Sequence, residues 1–113
     1  MIKYSENVKF EDLERALQRK LMLFHRFTDT EIIATSGLRD TAKNAEIGGV
    51  EKSSHLKGFA LDVSCPNGRV RHEIIFCALA VGFKRIGIGK THIHLDLDPE
   101  KAQPTIFFDN YLP

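Results

Sequence analysis

The sequence lacks a charge excess, a cysteine framework and long apolar runs, and each absence excludes a class of protein. Sixteen lysine and arginine residues stand against 15 aspartate and glutamate residues, a formal net charge of +1, so there is no broad basic surface for nucleic acid or an anionic membrane. The two cysteines, Cys65 and Cys77, match neither a disulfide framework nor a CxxC zinc motif. No stretch approaches the ~18 apolar residues of a membrane span. We therefore expect no nucleic-acid or membrane partner, and reduced thiols.

Length and composition describe an ordinary folded domain. At 113 residues the chain is long enough for one domain with a core and too short for two. Hydrophobic residues make up 42% and charged residues 27%, which argues against disorder. We predict a single domain over residues 1–113 and a monomer. The start, MIKYSENVKFEDLERAL, has no apolar segment before a small-residue cleavage site, so we expect synthesis in the cytoplasm without a signal peptide.

Apolar periodicity predicts two long helices and a short one. Apolar residues recur at intervals of three and four over positions 10–27 and again over positions 70–81, which is typical of amphipathic helices. Gly82 suits the end of the second long helix. Asp40 is a suitable N-cap for a short helix through TAKNAEI, and the GG pair at 48 and 49 would end it.

Strand patterns occur between and after these helices. EIIAT at 31–35 is short and β-branched, and FALDVS at 59–64 alternates apolar and polar residues. KRIGIGK and THIHLDLD are predicted to form an antiparallel pair joined near Gly89 and Lys90, and TIFFD adds a final short strand. The fold class predicted from this order is α+β, with helices packed on a small antiparallel sheet.

The stretch SSHLKGFALDV, at 53–63, contains two candidate metal ligands. His55 and Asp62 are seven positions apart, with Gly58 between them. This spacing is too wide for two ligands on one helix turn. It suits one ligand on a loop, a glycine turn, and a second ligand on the next strand.

The stretch THIHLDLD, at 91–98, supplies the other candidates. Every second residue is titratable: His92, His94, Asp96 and Asp98. On a strand these side chains share one face. Zinc accepts imidazole nitrogen and carboxylate oxygen, and catalytic zinc sites typically use three protein ligands. His55, Asp62 and one of His92 or His94 fit that count.

Together the two stretches resemble a known family. The pattern S-x-H-x-x-G-x-A-x-D is present as Ser53, His55, Gly58, Ala60 and Asp62, and H-x-H follows at His92 and His94. This two-part motif, with the upstream SGLRD and NAEIGGV segments, resembles the zinc D-alanyl-D-alanine carboxypeptidases and the related peptidoglycan endopeptidases. The resemblance runs from about Thr35 to Asp98 and implies the zinc-peptidase fold that Hedgehog-type domains share.

The resemblance also implies roles for individual residues. One zinc ion per chain would be held by His55, Asp62 and His94, and His92 would be the nearby catalytic histidine. In other branches of the family a glutamate three residues before the last ligand is the general base. Here that position is Thr91.

Three further residues gain roles from the same comparison. Arg39 matches the substrate-binding arginine of the family, whose guanidinium can pair with a peptide carboxylate or stabilise charge on the scissile carbonyl oxygen. Ser53 is predicted to contribute to substrate binding and to brace the His55 loop. Asp96 is predicted to orient a ligand imidazole from behind the metal.

The function that the resemblance implies is a zinc metallopeptidase that hydrolyses peptide bonds in peptidoglycan stem peptides or cross-links, with D-alanine on at least one side of the bond. Carboxypeptidase, endopeptidase and L-alanyl-D-glutamate cleavage all stay open. We expect action on the bacterial cell wall, as by a phage lysis enzyme made in the cytoplasm and released later. The alternative is a non-catalytic zinc domain that binds cell-wall peptide or a protein partner.

Several candidate residues also have structural interpretations. Single histidines are more often structural than ligating, so His25 and His72 are predicted to be structural. Arg39 could instead be a surface residue that pairs with Asp40 or a neighbouring glutamate, and Asp98 before Pro99 is predicted to be a turn residue. KRIGIGK lacks the strand, glycine loop and helix of a phosphate site.

Overall fold

The computed structural model describes residues 1–48 and 52–110, and in them six strands and three α-helices follow one another along the chain. Their bounds are β1 Ile2–Tyr4, α1 Arg15–Phe27, β2 Ile32–Ser36, α2 Thr41–Glu46, β3 Ala60–Ser64, α3 Gly68–Ala80, β4 Arg85–Ile88, β5 His92–Asp96 and β6 Thr105–Phe108. Short 3-10 turns lie at Phe10–Asp12 and Ser54–Lys57. The α+β class predicted from the sequence is confirmed.

The first long helix starts later than its periodicity indicates. Phe10–Asp12 form a 3-10 turn, and Leu13 is extended, with φ −81° and ψ 154°. The backbone N–H of Glu14 donates to the carbonyl oxygen of Gly58 at 2.9 Å, so this segment is tied to the loop that carries His55. The helix begins after that contact and buries Leu17, Leu21 and Phe24.

Asp40 and Gly82 end the other two helices as predicted, and Asn67 is a cap that the sequence did not predict. Asp40 caps α2, accepting the backbone N–H of Lys43 at 2.7 Å. Gly48 follows α2 with φ 74°, while Gly49, the second residue predicted to end it, lies outside the described residues. Asn67 caps α3, accepting the N–H of Val70 at 2.9 Å. Gly82 follows α3 in the left-handed region, with φ 96°.

The sheet is mixed, which corrects the antiparallel prediction. Its order is β1-β2-β3-β5-β4-β6. The four central strands pair antiparallel, but β1 is parallel to β2 and β6 is parallel to β4. β5 ends opposite Arg85 and β6 begins opposite the same residue, so the connection stays at one end of the sheet and β6 must run with β4. β1, a three-residue strand, was not predicted from the sequence.

One face of the sheet is core and the other carries polar side chains. Leu61 and Val63 of β3 and Ile93 and Leu95 of β5 are fully buried in one apolar cluster with the inner faces of α1 and α3. Because side chains alternate along a strand, the intervening residues of β3 and β5 project from the opposite face. That face is where both candidate metal stretches meet.

Both cysteines are buried and unpaired, and Cys77 packs in α3 as a small apolar residue. Among the described residues, no helix has both the length and the apolar character needed to cross a membrane.

Candidate metal centre

Two central strands and one turn position the three predicted ligands. Asp62 lies in the middle of β3 and His94 in the middle of β5, and the two are register partners. Directly paired residues project on the same face of a sheet. His55 lies in the 3-10 turn Ser54–Lys57, which Gly58 ends with φ 76°. A side chain at Gly58 would meet the backbone oxygen of Asp12 at 3.2 Å, so glycine is required for both conformation and space.

The donor atoms of these three residues converge. Asp62 Oδ1 is 3.2 Å from His55 Nε2 and 3.1 Å from His94 Nδ1. The three atoms all lie within 4.8 Å of one another. Zinc bonds of 2.0–2.2 Å in a tetrahedral site put neighbouring donors about 3.3–3.6 Å apart. The donor types and separations therefore fit a zinc ion with little movement of the side chains.

The hydrogen bonds behind the two imidazoles favour a cation in front of them. His55 Nδ1 is 2.8 Å from the carbonyl oxygen of Gly37, and His94 Nε2 is 2.5 Å from Asp96 Oδ2. Each of these oxygens accepts a hydrogen bond from a ring N–H, so a neutral ring presents its lone pair on the other nitrogen. Two lone pairs and the Asp62 carboxylate then face one another. Two added protons or one divalent cation would resolve that repulsion.

The pKa values of Asp62 and His94 reflect this arrangement. Burial would raise the pKa of Asp62, but the hydrogen bonds and charges of His55 and His94 hold it well below its usual range. Burial would lower the pKa of His94, but Asp62 and Asp96 raise it to about 9. In the metal-free protein a proton therefore occupies the position where a metal would bind.

Asp96 and Asp98 support the site from behind. Asp96 is fully buried, and its Oδ2 also accepts from Arg85 Nε at 3.0 Å. The prediction that Asp98 is a turn residue is confirmed, because its Oδ1 accepts the backbone N–H of Glu100 at 3.0 Å and its carbonyl oxygen accepts that of Lys101 at 3.3 Å. Its side chain is also fully buried, which the sequence did not predict. It accepts from Ser54 Oγ at 2.8 Å and from Lys57 Nζ at 3.2 Å. Asp98 thus joins the end of β5 to the turn that carries His55.

Arg39 and Ser53 form the wall beside His55. Arg39 Nη2 donates to Ser53 Oγ at 3.0 Å, and that oxygen also accepts the backbone N–H of His55 at 3.2 Å. The backbone N–H of Arg39 donates to the carbonyl oxygen of His55 at 3.1 Å. Ser53 is therefore placed to brace the loop. Arg39 Nε is buried without a hydrogen-bond partner among the described residues, and no ion pair there joins Arg39 to Asp40.

One cavity joins these residues, and its lining contains three cationic side chains and the carboxylates of Asp62 and Asp109. It is lined by the three candidate ligands and by His92, and it also includes Arg39, Arg85 and Lys101. Burial lowers the pKa of Arg39, and the carboxylates of Asp62 and Asp109 oppose that shift. A peptide carboxylate would meet complementary charge here.

His92 is half-buried at the edge of this cavity and has a partner that the sequence analysis missed. Its Nε2 lies 2.8 Å from Asp109 Oδ2, and the same oxygen is 3.9 Å from His94 Nδ1. Asp62, His92 and Asp109 form a second cluster of potential metal donors. From strand alternation, the sequence could have predicted that Asp109 shares a face with Phe107. It could not have predicted that this face meets His92 of β5.

The remaining two histidines have structural surroundings. His25 Nδ1 accepts the backbone N–H of Ile2 at 3.0 Å, which fixes β1 against α1. His72 stacks on Phe76 along α3, with an interplanar angle of 11°. Neither lines the cavity.

Comparison with known proteins gives one family. A family model described as Peptidase M15 matches residues 5–97, and this range contains every residue of the two-part motif. No curated protein matches the chain. The matched family comprises zinc-dependent D-Ala-D-Ala metallopeptidases, which confirms the resemblance found in the sequence. Because the match covers most of the chain, this protein belongs to the Peptidase M15 family.

Proposed function

We propose that this protein is a zinc-dependent peptidase that hydrolyses peptide bonds in peptidoglycan stem peptides or cross-links. The observation that carries the proposal is the convergence of His55 Nε2, Asp62 Oδ1 and His94 Nδ1 at one point of a cavity. Three protein ligands are the number that catalytic zinc sites use, since a fourth position is needed for water or substrate.

The chemistry divides between the ion and the protein. When bound, zinc would polarise the scissile carbonyl and lower the pKa of water to ~7. Arg39 would pair with a substrate carboxylate or with charge developing on the carbonyl oxygen. His92 would transfer the proton that the leaving amine needs as the C–N bond breaks, because an imidazole both gains and loses protons near neutral pH.

The charge of the cavity supports the substrate class. Peptidoglycan stem peptides carry free carboxylates, and the cavity presents Arg39, Arg85 and Lys101. The family supports D-alanine beside the scissile bond. We extend the proposal to degradation of the cell wall from outside the bacterial cell, as a phage-type lysis enzyme performs it.

The test combines metal analysis with digestion of purified peptidoglycan. We expect one zinc per chain and release of peptide fragments that a chelator stops and added zinc restores. Fragment masses distinguish loss of a terminal D-alanine from cutting of a cross-link or of an L-alanyl-D-glutamate bond. His94→Ala should lose both zinc and turnover, while His72→Ala, a histidine away from the cavity, should keep both.

Two results would contradict the proposal. Full activity in the metal-free protein would remove zinc from the reaction. Bound zinc with peptide binding but without any product would favour the non-catalytic zinc domain. The presence of both Arg39 and His92 in the cavity argues against that alternative, because a purely binding domain has no need of a proton-transfer group.

A further inference from the structure

The carboxylate of Asp109 lies inside the candidate site although no motif includes it. Its Oδ2 is 2.8 Å from His92 Nε2 and 3.9 Å from His94 Nδ1. The residue follows β6, and the family match ends before it, at position 97. A part of the chain outside the family pattern therefore delivers a charged group to the site.

The edge of the sheet is shaped to bring Asp109 there. Its backbone N–H donates to the carbonyl oxygen of Ile88 at 2.8 Å, continuing the pairing of β6 with β4. A Cβ added at Gly87 would lie 3.0 Å from Asp109 Cβ and 3.0 Å from His94 Cβ. Only glycine at position 87 lets β4 lie this close to both Asp109 and His94. At Gly89, likewise, a side chain would overlap the His92 ring.

The hydrogen bond constrains the imidazole of His92 in two ways. A carboxylate accepts protons in hydrogen bonds, so His92 Nε2 must carry the proton and Nδ1 keeps the lone pair of the neutral ring. The bond also limits rotation of the ring, whose side chain is 25% exposed and lies against Gly89. A proton-transferring histidine needs both constraints, because the wrong tautomer presents the wrong nitrogen.

We propose that Asp109 is a positioning residue that fixes the orientation and tautomer of His92 for catalysis. This inference rests on the proposed function, in which His92 transfers a proton. Asp109 acts through His92 and is not one of the metal ligands. The three ligands would then remain His55, Asp62 and His94, although Asp109 also belongs to the second donor cluster.

The test compares Asp109→Asn with the wild type in the zinc-loaded protein. We expect the kcat for release of peptide from peptidoglycan to fall roughly 10- to 100-fold. KM and the zinc dissociation constant should stay nearly unchanged. Nitrogen-15 NMR of the His92 ring should change from the Nε2-protonated form to a tautomer mixture. Asp29→Asn, an exposed carboxylate far along the chain, is the matched control and should change none of these values.

A double variant tests whether Asp109 acts through His92. If it does, adding Asp109→Asn to His92→Ala should cause no further loss of kcat, because residues that act as a unit are not additive. An equal loss in both backgrounds would overturn the inference. So would unchanged kcat in Asp109→Asn, or a zinc affinity weakened as much as in Asp62→Asn, which would make Asp109 a ligand.

The inference can fail separately from the proposed function. If no peptide is turned over, the NMR spectrum of His92 still reports its tautomer, and an unchanged tautomer in Asp109→Asn overturns the inference alone. Thermal unfolding of each variant checks the fold. Should Asp109→Asn unfold, Asp109→Ser gives the same comparison with a smaller side chain.

Discussion

At the scale of single residues, the candidate site depends on which side chains hold each proposed ligand in place. Asp96 is fully buried and holds His94 through Nε2 at 2.5 Å. We expect Asp96→Asn to weaken zinc binding roughly 10- to 100-fold, because the amide cannot accept that proton with the same charge. Competition with a chelator of known affinity measures the change.

The control for this variant distinguishes the loss of the bond to His94 from the loss of the ion pair with Arg85. Arg85 also donates to Asp96, at 3.0 Å, so Asp96→Asn leaves Arg85 without its carboxylate. Arg85→Gln removes that ion pair and leaves the bond to His94. An equal loss of zinc affinity in Arg85→Gln would mean that packing, and not the orientation of His94, decides affinity.

The pKa of His94 gives zinc binding a pH dependence whose sign is fixed. In the metal-free protein the pKa is raised from 6.5 to about 9, and zinc must displace that proton. Zinc affinity should therefore rise with pH, by up to tenfold per pH unit, until the ring is already deprotonated near pH 9. Titrations at several pH values measure it, and a flat profile would contradict the protonated ring.

The stability of the metal-free protein should change in the opposite direction. A pKa that is higher in the folded state than in the unfolded state stabilises the fold below the unfolded value, and this contribution is lost as pH rises through the folded value. The share due to His94 is therefore complete below about pH 6.5 and lost toward pH 9. Thermal unfolding without metal should show that decline.

At the scale of elements, β4 lies so close to β5 and β6 at Gly87 that a side chain there has no room. A Cβ at Gly87 would lie 2.9 Å from Phe107 Cζ and 3.0 Å from both Asp109 Cβ and His94 Cβ. Gly87→Ala should therefore force the strands apart and lower the free energy of unfolding by about 1–3 kcal/mol. Activity should fall as well, since Asp109 moves with β6.

The helix residue Gly68 offers a matched control for that variant. Nothing lies within 4 Å of a Cβ added there, so Gly68→Ala should be neutral or stabilise the protein by about 0.4–1 kcal/mol. Denaturant unfolding compares the two substitutions directly. Equal free energies of unfolding in the two variants would mean that β6 moves aside without loss of stability. The close contacts at Gly87 would then not contribute to the stability of the fold.

At the scale of the whole molecule, a bound zinc would join segments that are far apart in sequence. His55, Asp62 and His94 come from a turn and two strands, and an ion that binds only the folded state stabilises it by mass action. A hundredfold excess of zinc over its dissociation constant should contribute about 2.7 kcal/mol, roughly a 10 °C rise in Tm. A similar rise in His94→Ala would place the zinc elsewhere.

Local chemistry was sufficient to predict much of this molecule. Apolar periodicity located α1 and α3, and Asp40 and Gly82 marked helix ends where the structure has them. Strand alternation placed Asp62 and His94 on polar faces, and the structure brings them together as register partners. These features depend on side chains a few positions apart, so the sequence alone determines them.

The tertiary structure decided the rest, because it depends on which strands meet. β1 pairs parallel with β2, and β6 pairs parallel with β4, because of where the chain returns to the sheet. Nothing in the segments IKY or TIFFD specifies which strand will be their neighbour. Asp98 begins a turn as the sequence predicted, but only the fold shows that its buried side chain also braces Ser54 and Lys57. In the sequence, Asp109 is only an acidic residue that follows a predicted strand. Its place 2.8 Å from His92 exists only because β6 packs beside β4, since the surroundings of a charged group come from the whole fold.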